Sequence, residues 1–176
     1  FYGRFYRCHT THGTVDMREA LEKSCNTYFY ELGEKLQIDQ IYKWASALGL
    51  SELTGVDLPH EVLSLMPSAA WKRERWGEPW YPGETISVAI GQGPVAVTPI
   101  SLAVMMATVA NGGTRVTPHL LKAVNEGDGF VPVARPVAKS RVVLDPVTLD
   151  TVTEGLWNVV NRAGTGGRGR IPGRDV

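Results

Sequence analysis

Ser24, Cys25 and Asn26 set a hydroxyl, a thiol and a carboxamide side by side in the stretch EKSCNTYFYELG. A Ser-x-Asn triplet has two readings. It is either a junction between helices, where serine and asparagine satisfy backbone groups that the helices leave unpaired, or part of a reactive site. A second group of reactive types lies close by in the chain. Cys8, His12 and Cys25, with His9 adjacent, offer the sulfur and imidazole ligands that zinc takes, three where a structural site uses four. The same cysteines read equally as a Cys8–Cys25 disulfide in an oxidising compartment, or as two unconnected thiols in a reducing one.

Other candidates carry less. His60 and His119 stand alone, with no partner that would make either a base. Trp71, Trp76, Trp80 and Tyr81 read as packing before they read as a binding groove. No pair of carboxylates shows the spacing of acid/base chemistry. The tail GTGGRGR lacks the lysine-plus-hydroxyl ending of a phosphate-binding loop, so it reads as a flexible, water-facing loop of the kind that borders sites.

The elements that must hold these residues follow from periodicity and caps. Asp16 with Glu19 forms a capping pair, and Met17, Ala20, Leu21, Tyr28, Phe29, Leu32 and Leu36 recur at helical steps. Asn26 and Thr27 are poor helix-interior residues, so the stretch divides into two helices meeting at Ser24 to Thr27. A further helix is expected from Asp39 as cap to a stop at Gly49, and a short one from Ser68 to Trp76. TISVAIGQG reads as a strand entering a glycine turn. Thr98 and Pro99 open a helix apolar nearly all round, which predicts a place in the middle of a core. Arg115 to Val124 and Phe130 to Val143 read as strands interrupted by prolines, and Asp145-Pro146 starts a last helix.

Composition bounds the class. With 176 residues and 43% hydrophobic content, the chain can bury one ordinary core. Eighteen basic and eighteen acidic residues cancel, which argues against nucleic acid and anionic membrane surfaces as partners. The longest apolar run, Ile100 to Ala110, falls short of the roughly 20 residues of a membrane helix. The first residue is Phe1 and the end is PGRDV, so the chain is expected to be a fragment. Helices alternating with strands and long loops indicate an α+β or mixed α/β fold.

Three blocks, HGTVDMREALEKSCNTYFYELGEKL, WYPGETISVAIGQGPVAVTPISLAVMMATVANGGTRVTPHLL and GTGGRGRIPGRDV, together resemble the transpeptidase domain of class B penicillin-binding proteins of the elongation type, penicillin-binding protein 2. The resemblance implies the penicillin-binding-protein/β-lactamase-like fold, with helices packed on an antiparallel sheet, and residues 1–176 as the central part of one such domain. It implies a membrane-anchored D,D-transpeptidase on the periplasmic side of the inner membrane. Its substrate would be the peptidoglycan stem peptide ending in D-Ala-D-Ala, with β-lactams as inhibitors. A membrane glycan polymerase and the cell-elongation scaffold are the implied partners.

That family works with three motifs, Ser-x-x-Lys, Ser-x-Asn or Ser-x-Asp, and Lys-Thr-Gly. Ser24 and Asn26 match the second, so the resemblance makes Ser24 a proton relay and Asn26 an orienting residue. No serine in the chain satisfies Ser-x-x-Lys, and neither Lys-Thr-Gly nor Lys-Ser-Gly occurs. The nucleophile is therefore expected outside these residues, and the chain alone is expected to be inactive. No cofactor is required for the chemistry. Some relatives hold a structural zinc through positions matching His12 and Cys25; Tyr6 and Arg7 stand where an acidic ligand would, and Cys8 is the replacement on offer. The rival readings are a non-catalytic module of the same fold, zinc-stabilised, and a β-lactamase or β-lactam sensor.

Overall fold

The computed structural model describes residues 1–134 and 138–174. The strand expected from Phe130 to Val143 therefore lies partly outside the described residues, as do the last two residues of IPGRDV. The chain divides into two compact units, one of Phe1–Tyr42, Pro67–Val95 and Leu144–Val176, the other of Lys43–Met66 and Ala96–Val143.

In the first unit, α1 (Met17–Glu22) begins with the expected reciprocal cap: the Glu19 N–H donates to Asp16 Oδ1 at 2.9 Å, and the Asp16 N–H to Glu19 Oε2 at 3.4 Å. α2 (Asn26–Ala47), whose residues from Lys43 onward belong to the second unit, follows after a short turn, as the junction reading requires. Its only non-helical residue is Gln37 (φ 62°, ψ 166°). That kink divides the span into two helices, so the separate second helix expected from the sequence is present, with its break at Gln37 rather than at Asp39. The expected stop is present, because Gly49 adopts φ +95° and the Leu50 N–H reaches back to Ala45 O at 2.9 Å.

α3 (Ala69–Trp76) is capped by Ser68, which accepts from the Trp71 N–H at 3.0 Å. The segment read as a strand instead forms α4 (Pro82–Val88). Pro82 stands at its first position and Glu84 accepts from the Tyr81 N–H at 2.8 Å, two N-terminal devices that override β-branched propensity. Thr85, Ile86 and Val88 are all buried, a crowding that an alternating strand would not produce. Buried Lys72 places its ammonium 2.8 Å from both Glu84 oxygens and over the Tyr81 ring, tying α3 to α4.

α6 (Pro146–Asn161) is capped by Asp145, which accepts from the Thr148 N–H at 2.8 Å. It packs along α1. Gly155 makes the approach possible, since a Cβ there would stand 2.6 Å from Leu21 Cδ1, and Arg18 pairs with Glu154 beside it.

In the second unit, α5 (Pro99–Ala110) is capped by Thr98. The expectation of burial all round is corrected. Ser101, Val104 and Thr108 are buried, whereas Leu102 and Met106 are 40% and 41% exposed. Small and polar residues form the covered face because Ser64, Thr98 and Ser101 share hydrogen bonds there: the Ser64 hydroxyl donates to Ser101 Oγ at 3.0 Å, and Thr98 and Ser101 hydroxyls lie 2.8 Å apart. Sheet structure is short. β1 (Thr114–Arg115) pairs antiparallel with β4 (Ser140–Arg141), and β2 (Ala123–Asn125) with β3 (Phe130–Pro132) across the EGDG turn. Helix and antiparallel pairs together make the α+β class expected.

Substituting Gly155→Ala is expected to destabilise by about 1–3 kcal/mol through overpacking against Leu21. Thermal unfolding checks it, with the double variant Gly155→Ala, Leu21→Ala recovering part of the loss.

Candidate functional site

The junction between α1 and α2 is a helix-ending turn. Lys23 caps α1, the Ser24 N–H donates to Leu21 O at 3.1 Å, and the Cys25 N–H donates to Ala20 O at 2.9 Å. This pattern needs a left-handed residue after the cap, normally glycine. Here it is Ser24, at φ +51°. A non-glycine residue held there costs on the order of 1–3 kcal/mol, and such outliers gather at functional sites.

The turn separates three neighbouring side chains in direction. Ser24 is exposed, Cys25 is 3% exposed with its Sγ 3.3 Å from Thr27 Oγ1, and Asn26 is half-buried at the start of α2. Ser24 Oγ lies 2.7 Å from Thr165 Oγ1. Thr165 belongs to the glycine tail that reads from sequence as a flexible loop, so its contact with the site was not foreseen. Glycines on both sides of a single hydroxyl residue mark a close backbone approach, but nothing in the sequence names what is approached.

Cys8, His9 and His12 form a second cluster, with ligand atoms all within 4.8 Å of one another. Cys8 Sγ lies 3.6 Å from His9 Nδ1 and 3.6 Å from His12 Nδ1. Sulfur and nitrogen on one tetrahedral zinc are separated by about 3.6 Å, given Zn–S near 2.3 Å and Zn–N near 2.0–2.1 Å. The donor types and spacing therefore fit zinc. Of the ligands expected, the structure brings Cys8 and His12 together and adds His9, while the buried Cys25 lines the same pocket as Cys8 and His12 without joining the group of atoms that lie within 4.8 Å of one another. The disulfide alternative is not realised, since both cysteines are free.

This cluster is tied to the turn. The Asn26 N–H donates to Cys8 Sγ at 3.3 Å. Partial burial acts to raise the Cys8 thiol, but backbone N–H groups led by that of Asn26 outweigh it and hold the thiol below its ordinary value.

A family model described as the penicillin binding protein transpeptidase domain matches residues 2–176. Among curated relatives, the chain is 43% identical over 130 residues to the peptidoglycan D,D-transpeptidase MrdA of Acinetobacter baumannii, which covers 74% of this chain and 19% of that protein. Among solved structures, Pseudomonas aeruginosa PBP2 in complex with WCK 5153 superposes with a TM-score of 0.84 at 38% identity, covering 95% of this chain and 36% of that one. The complex between PBP2 and MreC from Helicobacter pylori gives 0.73 at 30% identity, over 90% of this chain and 28% of that one. A peptidoglycan synthase complex, described as coordinating polymerization and crosslinking, gives 0.72 at 40% identity, over 85% and 24%.

In protein stripped of metal by a chelator, iodoacetamide under native conditions is expected to alkylate Cys8 and spare Cys25. Peptide mass mapping checks this, and equal labelling of both cysteines would contradict the burial of Cys25.

Proposed function

The chain belongs to the penicillin-binding protein transpeptidase family, and from that membership we propose that the protein containing it is a serine-type peptidoglycan D,D-transpeptidase of cell-wall elongation. Residues 1–176 are the central part of its transpeptidase domain, and the Ser-x-x-Lys and Lys-Thr-Gly motifs lie outside them. The observation that carries the reading is the turn itself, which pins an exposed serine hydroxyl in a strained conformation two residues before the asparagine that opens α2.

The chemistry follows from that placement. A serine nucleophile attacks the carbonyl of the penultimate D-Ala, forms an acyl-enzyme and releases the terminal D-Ala; an amine of a second stem peptide then takes the acyl group. The departing nitrogen must receive a proton. Ser24 Oγ gives it one and takes another from the nucleophile and its lysine, so the relay ends as it began. The Asn26 carboxamide accepts from that lysine through its oxygen and donates to the substrate's peptide carbonyl through its nitrogen. β-Lactams acylate the same nucleophile, and their opened ring nitrogen takes the proton.

The protein acts on the periplasmic side of the inner membrane, held by an anchor outside these residues; among the described residues no helix is long and apolar enough to cross a membrane. A membrane glycan polymerase and the elongation scaffold are its partners, a reading supported by the relatives solved with such assemblies. No cofactor takes part in the acyl transfer. Cys8, His9 and His12 would hold a structural zinc, which would fix the segment before α1 to the start of α2 through the Cys8 bond to the Asn26 N–H.

In the full-length protein, Ser24→Ala is expected to slow acylation by a fluorescent penicillin about 100-fold or more, in the range of lost proton-transfer catalysis. Asn26→Ala is expected to slow it as well, and wild-type rates in both variants would sink the assignment. Zinc content measured by mass spectrometry is expected to fall in Cys8→Ala and His12→Ala, and undiminished zinc in both variants would contradict the cluster.

A further inference from the structure

We propose that Thr165 is a positioning residue for the Ser24 relay, fixing the direction of the Ser24 hydroxyl through the 2.7 Å contact between their oxygens. The proposal rests on the relay reading of Ser24.

A serine hydroxyl has one proton and two acceptor sites and rotates freely about its C–O bond. Exposed on a turn, Ser24 would spend its time hydrogen-bonded to water in many directions. Thr165 removes that freedom. When its hydroxyl donates to Ser24 Oγ, one acceptor site is occupied. The Ser24 proton is then left for the departing nitrogen and the second acceptor site for the incoming proton. The Thr165 proton stays on Thr165, so the relay's balance is unchanged.

For this to work Thr165 must itself be fixed, and three features fix it. Its N–H donates at 3.2 Å to the carbonyl of Glu22, the last residue of the helix that turns at Ser24. The Gly166 N–H donates to Val159 O at 2.9 Å, on the last turn of α6. The flanking glycines are there because nothing larger fits: a Cβ on Gly164 would stand 2.4 Å from Val159 Cα, and one on Gly166 would stand 2.8 Å from Val159 Cγ1. The Gly-Thr-Gly segment is thus seated on α6 and bonded to the end of α1, and these two helices pack on each other through Gly155 and Leu21. Ser24 and Thr165 are 141 residues apart, so their contact is no product of local chain geometry.

The test uses the full-length protein and the rate of acylation by a fluorescent penicillin, with the thermal midpoint as a control for folding. Thr165→Val keeps the β-branched shape and deletes the hydroxyl, and it is expected to slow acylation by roughly tenfold, the worth of one hydrogen bond. Thr165→Ser is expected to restore the rate to near wild type. The double variant Ser24→Ala, Thr165→Val is expected to be no slower than Ser24→Ala alone, because without the relay there is nothing to position. A wild-type rate in Thr165→Val, or multiplicative losses in the double variant, overturns the proposal while leaving Ser24 as relay if Ser24→Ala is slow. A wild-type rate in Ser24→Ala overturns the relay reading, and the positioning role with it.

Discussion

One left-handed residue organises the region around the junction. Ser24 occupies a backbone conformation that glycine adopts without penalty, and the two hydrogen bonds that close α1 keep it there. Because the chain reverses its winding at that single position, its own side chain and the next two differ in surroundings: the hydroxyl is exposed, the thiol buried and the carboxamide half-buried at the head of α2. A continuous helix would have spread Ser24, Cys25 and Asn26 at about 100° intervals around one axis, with the Asn26 N–H committed to the helix ladder. The turn frees that N–H for Cys8 Sγ, which links the thiol and imidazole cluster to the same junction.

The turn is only as rigid as what surrounds it. α1 has a strong start in the Asp16 and Glu19 cap, and it lies against α6 where Gly155 permits a close approach. The end of α6 supports the Gly-Thr-Gly segment, which in turn meets Glu22 and Ser24. Two positions that lack side chains, Gly155 and Gly164, therefore matter through the contacts they allow. In this region helix packing is what brings the Thr165 hydroxyl against that of Ser24.

Much of this was legible in the sequence where local rules decide the outcome. The caps at Asp16, Ser68, Thr98 and Asp145 and the division of the first helical stretch near Ser24 follow from side chains bonding to nearby backbone, which needs no knowledge of the fold. The failures have tertiary or competing local causes. TISVAIGQG has strand composition, but Pro82 and Glu84 start a helix that the packing of Ile86 and Val88 completes. The composition of α5 implied burial all round, whereas hydroxyl-bearing residues take the covered face through their bonds to Ser64 and one another. Cys25, expected as a zinc ligand from the resemblance, lines the same pocket as Cys8 and His12, whereas His9, which the motif does not single out, joins their cluster. Thr165 could not be joined to Ser24 from spacing, since the contact spans 141 residues and depends on α1 meeting α6.

The most direct measurement is intact and peptide mass spectrometry of the full-length protein after exposure to a penicillin. The account predicts a single covalent adduct per molecule, carried by the serine of a Ser-x-x-Lys sequence outside residues 1–176, with Ser24 unmodified. The absence of any adduct, or an adduct on Ser24 itself, would contradict it.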